Sequence, residues 1–175
     1  MRTFRDGPLT RRAPETIRYA TGRCALGALA VASSERGIVS IMVRDSQARL
    51  IRDLRTRFPK ANLVRDQQAT LVAKVARYIA APFRPFPLPL DIRGTELQRR
   101  IWDEVRKIPF GETSTYSRIA EAVGAPKAIR AVAQACSRSG FAFAVPCHRV
   151  LHKSSNRRDG RQYRWVDYEA KLKQK

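Results

Sequence analysis

The chain has 175 residues, 43% of them hydrophobic, which is enough apolar material for a buried core in one domain or two small ones. Its 35 lysines and arginines against 15 acids leave a formal charge of +20, a field suited to a polyanion such as nucleic acid or an anionic membrane surface. No apolar run approaches the ~18 residues of a membrane span, and the charged start MRTFRDGPLTRRAPE lacks the apolar segment of a signal peptide, so the expected compartment is the cytoplasm. Residues 1–15 read as a basic tail. After it, TIRYA, CALGALAVAS and GIVSIMV read as short strands separated by Gly22 and by the turn-like SSERG. Two helical stretches follow. SQARLIRDLRTRF places Leu50, Leu54 and Phe58 on one face, and QQATLVAKVARYIA does the same with Leu71, Val75 and Ile79. Residues 16–81 are therefore expected to form a small α/β unit.

PFRPFPLPL carries four prolines, which neither continue a helix nor pair in a central strand, so residues 82–91 read as a linker to a second unit, 92–175. That unit opens with GTELQRRIWDEVRKI, whose Leu97, Ile101 and Val105 share a face, with Thr95 as the expected N-cap. SRIAEAV, the break GAP and KAIRAVAQAC then give two short helices around a tight turn. Such a helix-turn-helix places its second helix in a DNA groove, or else simply packs. The second helix is rich in alanine, thin enough to approach a nucleic-acid backbone, and its long side chains are Lys127, Arg130 and Gln134.

The remaining stretch holds the chemistry. Cys24, Cys136 and Cys147 are an odd number of cysteines at unrelated spacings and read as reduced thiols. With His148 and His152 the only histidines and no acidic cluster, no metal is expected. FAFAV reads as a strand, Pro146 ends it, and Cys147 sits where the chain leaves it, beside His148 and Arg149. Residues 127–164 hold nine basic side chains (Lys127, Arg130, Arg138, Arg149, Lys153, Arg157, Arg158, Arg161 and Arg164) and a single acid, Asp159. Positive charge or a neighbouring base favours a thiolate, so Cys147 reads either as a nucleophile or as a structural cysteine.

The motif PCHRV, preceded by KAIRAVAQAC and followed by YRW, resembles the O6-alkylguanine-DNA alkyltransferase family, the suicide DNA-repair proteins that include the C-terminal part of the bacterial adaptive-response protein. The resemblance runs collinearly from about residue 16 to 165. It implies a ribonuclease-H-like α/β domain followed by a mainly α winged-helix domain, double-stranded DNA containing O6-alkylguanine as the partner, bound through the minor groove by a monomer, and no cofactor. By the same resemblance Cys147 is the alkyl acceptor and His148 the base that takes its proton through a water. Tyr116 rotates the target nucleotide, Arg130 fills the gap left in the duplex, and Tyr163 lines the base pocket. Val150 and Arg149 belong to the substrate site, while Lys127, Ala128, Ala131, Gln134 and Arg138 belong to the DNA-binding helix. A non-catalytic relative that only recognises alkylated guanine, and a basic winged-helix DNA-binding protein, are the alternatives.

Three departures from the family pattern stand out. Ser139 occupies the place of the usual hinge asparagine, and a hydroxyl makes fewer hydrogen bonds than an amide. The segment between Cys147 and Tyr163 is longer than the pattern expects. The chain reaches Lys175 before the place of the histidine's acidic partner, leaving Asp167 and Glu169 as possible substitutes and a weakened proton relay as the expectation.

Overall fold

A computed structural model describes residues 14–67, 69–152 and 161–174, the last of these by main chain alone at 161–164. Strands β1 (Thr16–Cys24), β2 (Gly27–Ser34) and β3 (Gly37–Arg44) form an antiparallel meander, and α1 (Gln47–Arg57), β4 (Asn62–Arg65) and α2 (Ala69–Ala80) follow. The sheet order is β3-β2-β1-β4, with β4 parallel to β1. Successive strand residues point to opposite faces, so each face has its own helix. Ala28, Ala30 and Ala32 pack with Leu50 and Leu54 of α1, while Leu29 and Val31 share a core with Val72, Val75 and Ile79 of α2. The run of small alanines lets α1 lie close to the sheet.

Two expectations for this half need correction. Gly22 does not separate strands: it lies inside β1, opposite Leu29, and the turn falls at Ala25 and Leu26. A Cβ at Gly22 would stand 2.6 Å from Val72 Cγ1, so glycine is there to admit α2. The strand β4 was not anticipated, because NLVR offers only two apolar residues and its pairing with Thr16–Tyr19 is non-local.

The second half contains α3 (Glu96–Arg106), β5 (Ser114–Thr115), α4 (Tyr116–Ala122), α5 (Ile129–Arg138), a 3-10 turn (Cys147–Arg149), β6 (Val150–Leu151) and α6 (Arg161–Lys173). Thr95 caps α3 in a full capping box with Gln98. Helix α4 ends in a Schellman motif: Gly124 has φ +70°, its N–H reaches Glu121 O at 2.9 Å, and the Ala125 N–H reaches Ala120 O at 2.9 Å. That geometry swings the chain into α5. Trp102 Nε1 donates to Ala135 O at 3.0 Å and pins α3 to α5.

Lys127 and Ala128, read as the start of the second helix, instead form the turn and N-cap that precede α5. FAFAV is not a strand. Phe141 makes one bridge to Ile41, and the chain then folds into a turn in which Phe143 takes φ +61° and the Val145 N–H bonds Phe141 O at 3.0 Å. Beyond Ala142 the chain leaves β3, and local bonds, among them Ala144 N–H to Ala142 O at 2.7 Å, serve its backbone instead.

The outer edge of β3 joins the two halves. Ile38 pairs with the proline-rich segment through Ile38 N–H to Pro89 O at 2.9 Å and Asp91 N–H to Ile38 O at 2.8 Å. Further along, Ile41 N–H bonds Gly140 O at 2.8 Å and Ala142 N–H bonds Ile41 O at 3.0 Å. An edge that would otherwise expose unpaired backbone is thereby covered. Among the described residues no helix is long and apolar enough to cross a membrane.

Candidate active site

Pro146 stops the turn after α5, and the 3-10 turn that follows presents Cys147 at a cavity of about 440 Å³. Tyr116 from α4, Ala133 and Cys136 from α5, Ser139, Val145, His148 and Trp165 line the same cavity. Its size suits a small molecule or a single base. Cys147 is half-buried. The Cys136 thiol and the Ser139 hydroxyl both interact with its sulfur. The Cys136 contact is the larger influence, and together with Ser139 it outweighs burial and holds the Cys147 thiol below its ordinary value. Cys136 moves the opposite way, upward, chiefly through the same contact and then through burial. The pair therefore divides into one thiol that gives up its proton readily and one that stays protonated to support it.

Beside the cysteine lies a buried network. His148 Nε2 is 2.9 Å from Glu169 Oε1, and Arg149 donates through Nε to Glu169 Oε2 at 3.0 Å and through Nη2 to Oε1 at 2.8 Å. Arg149 Nη1 also reaches Ile108 O at 2.8 Å. Helix α6 packs back on the 3-10 turn and brings Glu169 there, while Asp167 is exposed. The expectation of a relay without an acid is thus overturned: the partner comes from an earlier turn of the last helix. Burial raises the Glu169 pKa, but hydrogen bonds and charge from His148 and Arg149 prevail and keep its carboxyl below the usual range. For His148, burial dominates and lowers the pKa despite Glu169. The imidazole is therefore neutral at neutral pH, with its proton on the Nε2 that faces the carboxylate. Nδ1 is left as the acceptor and is the buried side-chain polar atom with no protein partner among the described residues.

Other sequence candidates fall in different places. Tyr116 is buried at the start of α4, with its ring 4.8 Å from that of His152. Arg149 does not line the Cys147 cavity. Its guanidinium is spent on Glu169 and Ile108, so its assignment to the substrate site gives way to one of holding Glu169. Val150 is fully buried, pairs with Ser114, and its N–H closes the 3-10 turn onto Cys147 O. On the outer face of α5, Arg130, Gln134 and Arg138 are exposed, Ala131 is half-buried, and the turn before it exposes Lys127. Tyr163 lies in α6 with its side chain outside the described residues. Trp165, which sequence reasoning noted only within YRW, lies in the cavity wall, its ring 5.0 Å from Phe143 and 5.7 Å from His148. Cys136 was passed over because its partner lies eleven residues away across a turn, a separation that no periodicity marks.

Comparison with known proteins matches the halves to two family models. Residues 17–92 match the ribonuclease-like domain of 6-O-methylguanine DNA methyltransferase, and residues 96–174 match its DNA-binding domain. The constitutive methylated-DNA–protein-cysteine methyltransferase of Bacillus subtilis is 36% identical over 137 residues, 78% of this chain and 82% of that protein. The chain belongs to this family. The bifunctional transcriptional activator/DNA repair enzyme Ada of Escherichia coli is 43% identical over 164 residues. The match takes in 89% of this chain but only 44% of Ada, so the chain spans less than half the length of that relative. Among solved structures, Mycobacterium tuberculosis OGT in complex with DNA superposes with a TM-score of 0.70 at 28% identity, covering 88% of this chain and 93% of that one. The two-domain methyltransferase fold, a ribonuclease-like sheet domain followed by a helical DNA-binding domain, is therefore shared.

Proposed function

We propose that this chain is a suicide DNA-repair protein that takes an alkyl group, typically methyl, from O6 of guanine in DNA and keeps it on Cys147. The observation that carries the reading is the Glu169–His148 pair buried beside Cys147, with His148 Nδ1 left as an acceptor at the cavity. In the reaction the Cys147 thiol gives its proton, through a water, to Nδ1, and Glu169 steadies the imidazolium that forms. The thiolate attacks the alkyl carbon, the carbon–oxygen bond breaks, the departing guanine takes up a proton, and a thioether remains. Nothing in the site removes a thioether, so each molecule acts once.

A base inside the stack is out of reach, and its extrusion costs a few kcal/mol. Tyr116 in the cavity wall turns the nucleotide out, and Arg130, exposed on α5, fills the hole from the minor groove; the role in the base pocket that the resemblance gives Tyr163 falls on a side chain outside the described residues. Lys127, Gln134 and Arg138 hold the backbone, and a monomer suffices because one chain carries both the helix and the acceptor. The test is the protein mass after incubation with a duplex containing O6-methylguanine. A gain of one methyl on the peptide carrying Cys147, abolished in Cys147→Ser while DNA binding persists, is the expected result. An unchanged mass with lesion DNA still bound would replace repair by recognition alone.

A further inference from the structure

Helix α5 ends at Arg138, and its last carbonyls have no partner within the helix. The first half of the molecule supplies the donors. Arg57, the last residue of α1, donates through Nη1 to Arg138 O at 3.0 Å and through Nη2 to Ser139 O at 2.7 Å. The next carbonyl, of Gly140, accepts from Ser40 Oγ at 3.1 Å and from the Ile41 N–H at 2.8 Å. Three consecutive carbonyls, at the place where recognition helix passes into active-site turn, are thus held by α1 and β3.

The fit around the guanidinium is close. Gly140 has φ +65°, a conformation that favours glycine, and a Cβ there would stand 2.3 Å from Arg57 Cζ and so displace the guanidinium. Among the described residues no carboxylate pairs with Arg57. Its charge, half withdrawn from solvent, is directed at the negative end of α5, where a cation is favoured. The same stretch bears the two groups that act on the acceptor sulfur: Cys136 lies two residues before Arg138, and the Ser139 hydroxyl is attached to a residue whose carbonyl Arg57 holds. Ser139, standing where the resemblance calls for an amide, has less capacity to tie the hinge by itself.

We infer that Arg57 is a positioning residue for alkyl transfer: by clamping the carbonyls of Arg138 and Ser139 it sets the Cys136 thiol and Ser139 hydroxyl against Cys147, and so makes the ribonuclease-like half part of the reaction machinery. The inference deepens the alkyl-transfer reading and rests on it. Displacement of a reacting group's supports by a fraction of an ångström costs rate rather than affinity.

Arg57→Met removes both donors, Arg57→Lys retains one, and Arg55→Met, on an exposed residue of the same helix, is the control. Three quantities are measured for each: the single-turnover rate of methyl uptake from saturating O6-methylguanine duplex, the Kd for undamaged duplex, and the pH dependence of Cys147 alkylation by iodoacetamide. The expected result is an Arg57→Met rate lower by about tenfold or more, with Arg57→Lys in between and Kd within about twofold. The alkylation profile of Arg57→Met should move to higher pH. Wild-type rate and profile in Arg57→Met would overturn the inference. If that variant does not fold, Arg57→Lys decides, and a wild-type rate and profile there overturn it equally. If wild-type protein gains no methyl, the alkyl-transfer reading fails, and the iodoacetamide profile still decides whether Arg57 governs the Cys147 thiol.

Discussion

Cys147, His148 and Glu169 together predict how transfer responds to pH. Contacts from Cys136 and Ser139 hold the Cys147 thiol below its ordinary value, and burial lowers His148. A base with a lowered pKa is ready down to lower pH, and a thiol with a lowered pKa ionises earlier, so both shifts move the rising limb of the rate in the acid direction. With both groups at their ordinary values, the rate would climb from about pH 6.5 to 8.5. The structure instead predicts a rising limb displaced to lower pH than those ordinary values. Single-turnover rates across pH 5.5–9 on O6-methylguanine duplex, about the range in which both groups would ordinarily titrate, check this. A rate still climbing between about 8 and 9 would show the thiol to be unassisted.

At the scale of elements, α6 is the piece whose placement matters most. Helices usually dock through an apolar stripe, and Tyr168 contributes one such contact, its hydroxyl also donating to Ile79 O at 3.1 Å. The decisive anchor is charged: Glu169, buried, accepts from Arg149 and pairs with His148. Removing one member of a buried ion pair leaves the other uncompensated, at a cost of about 3–5 kcal/mol. Glu169→Gln keeps shape and some hydrogen bonding, so a loss of about 3 kcal/mol is expected in urea unfolding at unchanged m-value, together with slower methyl uptake. A loss below about 1 kcal/mol would mean that α6 is held by its apolar contacts alone. Stability contributed by Glu169 follows the rule for a carboxylate whose folded pKa is depressed. It is fully present above the ordinary value of about 4.3 and is lost as pH falls through the lower folded value.

For the whole molecule, the charge of +20 governs encounter with DNA. Phosphate contacts release counterions, so affinity for undamaged duplex should fall steeply as salt rises from about 50 to 200 mM, with little dependence on sequence. Binding isotherms over that range test it, and a flat salt response would remove electrostatics as the source of affinity. The two halves also share work. The sheet domain covers its own β3 edge with the segment before Asp91 and with residues 140–142, and in doing so fixes the entrance to the active-site turn. Asp91, buried, accepts from Ser34 at 2.8 Å and Arg36 at 3.3 Å and bonds Arg93, closing the junction on the other side.

Much of this was legible in the residues alone. The spacing of Leu50 and Leu54, or of Ile101 and Val105, together with the caps Ser46 and Thr95, specifies helices through interactions within a few residues. PCHRV and its surroundings indicated the family, the acceptor cysteine and the neighbouring base, because adjacency in the chain is a local property. What the residues could not disclose was which distant groups meet them. Neither Glu169 nor Asp167 stands out by sequence, and the choice fell to the helix face that α6 turns toward Arg149. Arg57 and Ser139 are 82 positions apart and carry no common pattern, and β4 acquires its identity only by pairing with β1. Short-range periodicity is written into the chain, whereas a buried charge finds its partner only when packing has excluded water and left few groups able to compensate it.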